Sequence, residues 1–282
     1  MNPLVLRPLA APVLERAAAL RRQVVGKLRS FDLIRWPNVA YGEDIAQRMI
    51  IHQKDDLAPR DGWPAVLLLH GGGWQQGSAD DFAALAPLLC RKGLLVASVS
   101  YRLAPAHRWP AALEDAEAAL DFLRHQQVDL DRIAIWGHSA GGQLALLTGL
   151  LHREQVRCVV ALGAPTDVGA ASDREALLER VFTEEDLEGA SALRRPERPP
   201  PTLLVHGEHD PVVPVATARA YAARFPEEVR LIEVPEGDHG LRWPPLRAAA
   251  ARSEAIDWMM EQLAPNPRGS KWRIRRPPKK GA

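Results

Sequence analysis

Six short apolar runs, separated by segments of helical periodicity, constrain the fold of this chain more than any other feature. Residues 65–70 (AVLLLH), 94–101, 132–136, 156–162, 202–206 and 229–234 are each bounded by turn signals. An apolar run without polar alternation reads as a strand covered on both faces. Such strands alternating with helices build a parallel sheet. The helices between them are also visible. Pro110 is placed at a helix start, and Leu113, Ala116, Leu120 and Leu123 form one apolar stripe behind it. Residues 245–263 give the last helix. Upstream, 39–41 and 47–52 are short strand candidates parted by Gly42, Glu43 and Asp44. The expected architecture is α/β, doubly wound, with a mostly parallel sheet.

At 282 residues the chain fits one large domain carrying a small insertion. The sheet and its helices are expected over 39–264. Residues 1–38 are expected to be a helical segment that packs on or caps this core, because Leu14, Ala18, Val25 and Leu28 recur at helical spacing. Between 166 and 201 the chain turns charged and then proline-rich (RRPERPPP), where a crossover needs only one helix; a small cap insertion is expected there. The tail, 265–282, carries seven Lys/Arg and no Asp/Glu and reads as a basic, disordered segment.

Composition excludes several classes of function. A net charge of +1 gives no reason to expect nucleic acid. No apolar stretch reaches the ~18 residues of a membrane span, and arginines interrupt any apolar leader at the N-terminus. No Cys/His cluster has metal-site spacing. The two cysteines are Cys90 and Cys158, and Cys158 lies inside an apolar run, as a structural thiol does. A cytoplasmic setting is expected; monomer and homodimer both stay open.

The chemistry is concentrated in a few short stretches. Gly137-His138-Ser139-Ala140-Gly141 directly follows the run 132–136 and precedes a helical segment. A nucleophile on a sharp strand-to-helix turn needs small neighbours, and the helix start offers free amides to developing negative charge. His70-Gly71-Gly72-Gly73-Trp74 ends the first core run. Acyl transfer passes through an oxyanion that needs preorganised N–H donors. The glycines let the chain turn its amides inward, so Gly72 and Gly73 are assigned as donors, with Ala140 as a third. His70 is assigned to holding the loop's shape. A phosphate loop is the competing reading, but GxxxxGK[ST] is absent.

A serine hydroxyl needs an imidazole to take its proton, and the imidazole needs an acid to hold it. Asp210 lies four residues beyond His206, and His239 follows the next strand, so serine, acid and histidine come in the order this kind of site requires. Glu208 and Asp238 are rival acids; His138, His206 and His209 are rival bases. Trp74, Trp109 and Trp243 are candidates to line a substrate pocket, with ordinary packing the competing reading for each.

Together HGGGW (70–74), YRLAP (101–105), GHSAGG (137–142), HGEHDPVVP (206–214) and GDHG (237–240) resemble the hormone-sensitive-lipase-like branch of the α/β-hydrolase family, which includes small bacterial carboxylesterases. The resemblance implies that fold, nucleophile, acid and base on Ser139, Asp210 and His239, a supporting turn at 101–105, a structural Asp115, and no metal or organic cofactor. It implies a serine esterase acting on a small-molecule ester; loops without long apolar lids point to a short-chain or modest aryl acyl group over a long-chain lipid. The kynurenine formamidase-like amidases are similar too, so an arylformamidase-like amide hydrolase stands as the alternative, and a non-catalytic ligand-binding homologue as another.

Overall fold

The computed structural model describes residues 33–265; the helix expected within 14–28 and residues 266–282 of the basic tail lie outside the described residues. Residues 33–38, expected to end the helical segment, belong instead to a strand whose residues 33–36 pair antiparallel with residues 51–54. Eight strands form one sheet: β1 (Leu33–Ala40), β2 (Arg48–Lys54), β3 (Trp63–Leu69), β4 (Leu95–Ser100), β5 (Val128–His138), β6 (Cys158–Leu162), β7 (Thr202–Gly207) and β8 (Val229–Val234). Their order is β1-β2-β4-β3-β5-β6-β7-β8. The pairs β1/β2 and β2/β4 are antiparallel, and every pair from β4/β3 to β7/β8 is parallel. The mostly parallel, doubly wound sheet is therefore present. β5 begins at Val128, four residues before the apolar run, because Val128 is buried and already pairs with Trp63 of β3.

Alternation along the strands sorts the core into two layers. Val66, Leu68, Val96, Trp136, Val160 and Val205 face one side and are covered by α1 (Leu85–Arg91) and α7 (Pro245–Gln262). Leu67, Leu69, Ala97, Ile135, Val159 and Leu204 face the other, under α2 (Ala111–Arg124), α3 (Ala140–Leu151) and α6 (Val215–Arg224). In α2 the stripe read from the sequence, Leu113, Ala116, Leu120 and Leu123, is the buried one. In α3 every residue from Ala140 to Leu150 is buried, as suits a helix apolar on all sides that runs beneath the site. Between β6 and β7, residues 166–201 hold two short helices, α4 (Arg174–Arg180) and α5 (Asp186–Ala190).

The strand order also locates a crevice. From β3 the chain crosses to β4 on one side; from β5 it crosses to β6 on the other. Loops leaving neighbouring strands in opposite directions open a gap above their carboxyl ends, the usual ligand position in such sheets. Leu69 and Gly137 are register partners at that gap.

Candidate active site

Ser139 stands between β5 and α3 at φ 53°, ψ −122°, a conformation that L-residues with side chains seldom adopt. Its amide donates to the Leu162 carbonyl at 2.8 Å, so β6 holds the turn in place. The flanking glycines are required by contact. A Cβ on Gly137 would lie 2.1 Å from the Gly141 carbonyl oxygen, and one on Gly141 would lie 2.1 Å from that of Leu69.

The imidazole of His239, in the loop after β8, reaches both other side chains. Its Nε2 is 2.9 Å from Ser139 Oγ, and its Nδ1 is 2.7 Å from Asp210 Oδ2. The other carboxylate oxygen, Oδ1, accepts the amides of Val212 and Val213 at 2.9 and 2.8 Å. Burial alone would raise this carboxyl's pKa. The hydrogen bonds from His206, His239 and Val213 outweigh it and hold the group well below the usual carboxylate range. Because Oδ2 can only accept from Nδ1, that proton fixes the His239 tautomer and leaves Nε2 free to take a proton from the hydroxyl.

The rival residues have other partners. Asp238 Oδ1 accepts the amides of Arg242 and Trp243, and Glu208 is exposed. His206 is buried, with Nε2 2.9 Å from the Val213 carbonyl and 3.3 Å from Asp210 Oδ2, so it supports the acid from behind. His138 Nε2 lies 3.1 Å from the His239 carbonyl. A carbonyl only accepts, so this nitrogen carries the proton. Burial lowers the pKa of His138 and favours the neutral ring, against the opposing pull of this hydrogen bond, which a charged ring would also make. The His138 contact runs to a carbonyl far along the chain, and that of His206, though only seven residues away, also ends on a carbonyl that no residue letter marks.

The loop after β3 turns through three successive positive φ values: Gly72 at 112°, Gly73 at 59° and Trp74 at 59°. The Gly72 carbonyl accepts the amides of Gln75 and Gln76, both at 3.1 Å, which closes the turn. His70 anchors its base. The ring stacks on Tyr101 at 4.1 Å, its Nδ1 bonds the Gly71 carbonyl at 2.7 Å, and the Tyr101 hydroxyl donates to the His70 carbonyl at 2.7 Å. Behind this, fully buried Asp115 accepts the Arg102 amide at 2.7 Å and Gln47 Nε2 at 2.6 Å, fixing the turn after β4.

The three tryptophans part company. Trp74 is buried, edge-on to Phe182 at 4.9 Å, and Trp109 packs on the same ring at 5.5 Å. Trp243 is 62% exposed. Phe182, from the 166–201 segment, is the centre of this cluster; a lone Phe in a charged stretch carried no sequence signal. Among the described residues no group of three or more His, Cys, Asp or Glu is arranged to hold a metal ion, and no helix is long and apolar enough to cross a membrane.

Residues 55–225 match the BD-FAE family. Esterase LipC of Mycobacterium tuberculosis (strain ATCC 25618 / H37Rv) is 31% identical over 77% of this chain and 62% of its own. Carboxylesterase NlhH of the same strain is 40% identical over 34% of this chain and 31% of its own. The chain thus spans less than two thirds of the length of these curated relatives. Among solved structures, the propionate-bound esterase Est2 of Thermogutta terrifontis superposes with a TM-score of 0.69 at 23% identity, covering 84% of this chain and 97% of that one. An esterase of Pyrobaculum calidifontis does so with 0.64 at 22%, covering 89% and 91%. At that identity they show the α/β-hydrolase fold alone.

Proposed function

The chain belongs to the BD-FAE family, and we propose that it is a serine hydrolase cleaving a carboxylic ester through an acyl-enzyme on Ser139. One observation carries this reading: a single imidazole, His239, stands 2.9 Å from the Ser139 hydroxyl and 2.7 Å from the Asp210 carboxylate. The esterase names of its curated relatives support the choice of bond.

In this mechanism Ser139 Oγ attacks the ester carbonyl and passes its proton to His239 Nε2. Asp210 keeps Nδ1–H in place and stabilises the imidazolium that forms. The carbonyl oxygen becomes an oxyanion beside the amides of Gly72, Gly73 and Ala140, which we assign as its donors. Nε2 then hands its proton to the departing alcohol. Water, activated by the same nitrogen, attacks the acyl-enzyme and releases the acid. We place the acyl group at short-chain or modest aryl size, because Trp74, Phe182 and Trp109 fill the space beside the loop with one another. Residues 166–201, which supply Phe182, are assigned as a small cap. Two buried free thiols fit a reducing, cytoplasmic setting.

The test is hydrolysis of p-nitrophenyl acetate and butyrate together with labelling by a fluorophosphonate probe. Wild type should turn over the esters and take the label, and Ser139→Ala should do neither. Near-wild-type turnover in that variant would overturn the assignment. A strong preference of the wild type for N-formylkynurenine over both esters would move the scissile bond to an amide.

A further inference from the structure

Trp74 poses a question that the catalytic steps leave open. Its φ of 59° belongs to the left-handed region, which favours glycine and is an outlier for a bulky residue. Such backbone persists only where the surroundings over-determine it. Here they do. The Trp74 carbonyl accepts the Ala104 amide at 2.9 Å, and the indole Nε1 donates to Gln143 Oε1 at 3.1 Å.

Gln143 is fully buried on α3, and its backbone amide bonds the Ser139 carbonyl at 3.0 Å. Its side-chain Nε2 donates to the Ala190 carbonyl at 2.8 Å, in α5 of the 166–201 segment. The two partners fix the orientation of this amide: an indole N–H can only donate and a carbonyl can only accept. An amide satisfies both at once, whereas the ionised carboxylate of the same size has no hydrogen to donate.

We propose that Gln143 is a positioning residue that couples the 166–201 segment to the oxyanion loop by holding Trp74, and with it the amides of Gly72 and Gly73, in register with Ser139. The inference rests on the hydrolase reading above. The side chain touches neither hydroxyl nor imidazole; it acts through the strained tryptophan, which terminates the run of positive φ values. A shift of α5 pulls the Ala190 carbonyl, hence the amide, hence the indole. The oxyanion donors are thereby set by the same residues that supply Phe182 to the aromatic cluster.

The experiment measures kcat and KM on p-nitrophenyl acetate for wild type, Gln143→Met, Trp74→Phe and the double variant. Methionine keeps the length without the hydrogen bonds, and phenylalanine keeps the ring against Phe182 without the N–H. Each single variant is expected to lose about tenfold in kcat, the scale of a slightly misplaced catalytic group, with KM within about twofold. The double variant should lose no more than the worse single, because both cut one link. A role in stability alone would lower the thermal midpoint without this split between kcat and KM. Losses that multiply in the double variant, or a folded Gln143→Met within about twofold of wild type in kcat, would overturn the proposal. If Gln143→Met does not fold, Trp74→Phe decides by the same split. An unreactive wild type, with neither turnover nor fluorophosphonate labelling, would instead sink the hydrolase reading; an active wild type with unimpaired variants sinks only the role of Gln143.

Discussion

The glycines around Ser139 and Gly189 of the 166–201 segment occupy opposite kinds of surroundings. A Cβ at Gly137 or Gly141 would run into main-chain atoms at 2.1 Å, whereas one at Gly189, in α5, would meet nothing within 4 Å. The nucleophile turn is built by backbone packed against backbone, with no slack to absorb a methyl group. The segment above it is held by side chains: Arg174 with Glu184, Arg194 with Asp167, and Gln143 with the Ala190 carbonyl. The difference teaches that the Ser139 turn is fixed by the sheet, while the 166–201 segment is held by contacts that substitution can alter singly.

That contrast can be broken in several places. The largest effect belongs to chemistry on the rigid side. Asp210→Asn should lower kcat by about 10⁴-fold by releasing the tautomer of His239, in a protein whose circular dichroism is unchanged; a loss under about tenfold would show that the carboxylate is not holding the ring. Next comes packing. Gly141→Ala should cost ~3 kcal/mol in denaturant unfolding, since backbone must move to admit the methyl, and an unchanged midpoint would refute the rigid-turn description.

Acid provides a third, smaller test. Burial depresses the pKa of His52, His70 and His138 below the ordinary 6.5. In the unfolded chain these histidines take up protons near 6.5, while in the folded protein they resist. The stability linked to them is therefore present in full above about 6.5 and is lost as the pH falls from there through the lower folded values. The thermal midpoint should fall as pH drops below about 6.5, before carboxylates titrate. His70 and His138 flank the nucleophile, and 166–201 contains no histidine, so amide exchange should quicken first near residues 70 and 138. The smallest effect is reserved for the open side: Gly189→Ala should leave stability unchanged or raise it by up to ~1 kcal/mol, through helix propensity alone.

How much of this was legible in the sequence varies with the physics behind each feature. The parallel strands were, because burial on both faces leaves continuous apolar runs such as 65–69 and 202–206; the edge strand 229–234, with Arg230 exposed, is buried only at its two ends. The triad was placed by order and by the loops that carry it, and the structure sets Ser139, Asp210 and His239 within hydrogen-bond reach. What stayed hidden is the polar layer behind it. His138, His206 and Gln143 each bond a main-chain carbonyl, and a carbonyl has no letter in a sequence. The helices of 166–201 were hidden for another reason, since elements of five and seven residues are too short for periodicity to speak.

The two cysteines carry a practical consequence. Both are buried, and burial pushes their thiols up to about 11 for Cys90 and about 12 for Cys158, so near neutral pH neither offers a thiolate to a reagent. They share one layer of the core, Cys90 on the buried face of α1 and Cys158 at the start of β6. A maleimide pulse should therefore leave the native protein unmarked and tag the chain only when that layer opens, making the protein a reporter of its own unfolding without an introduced dye site.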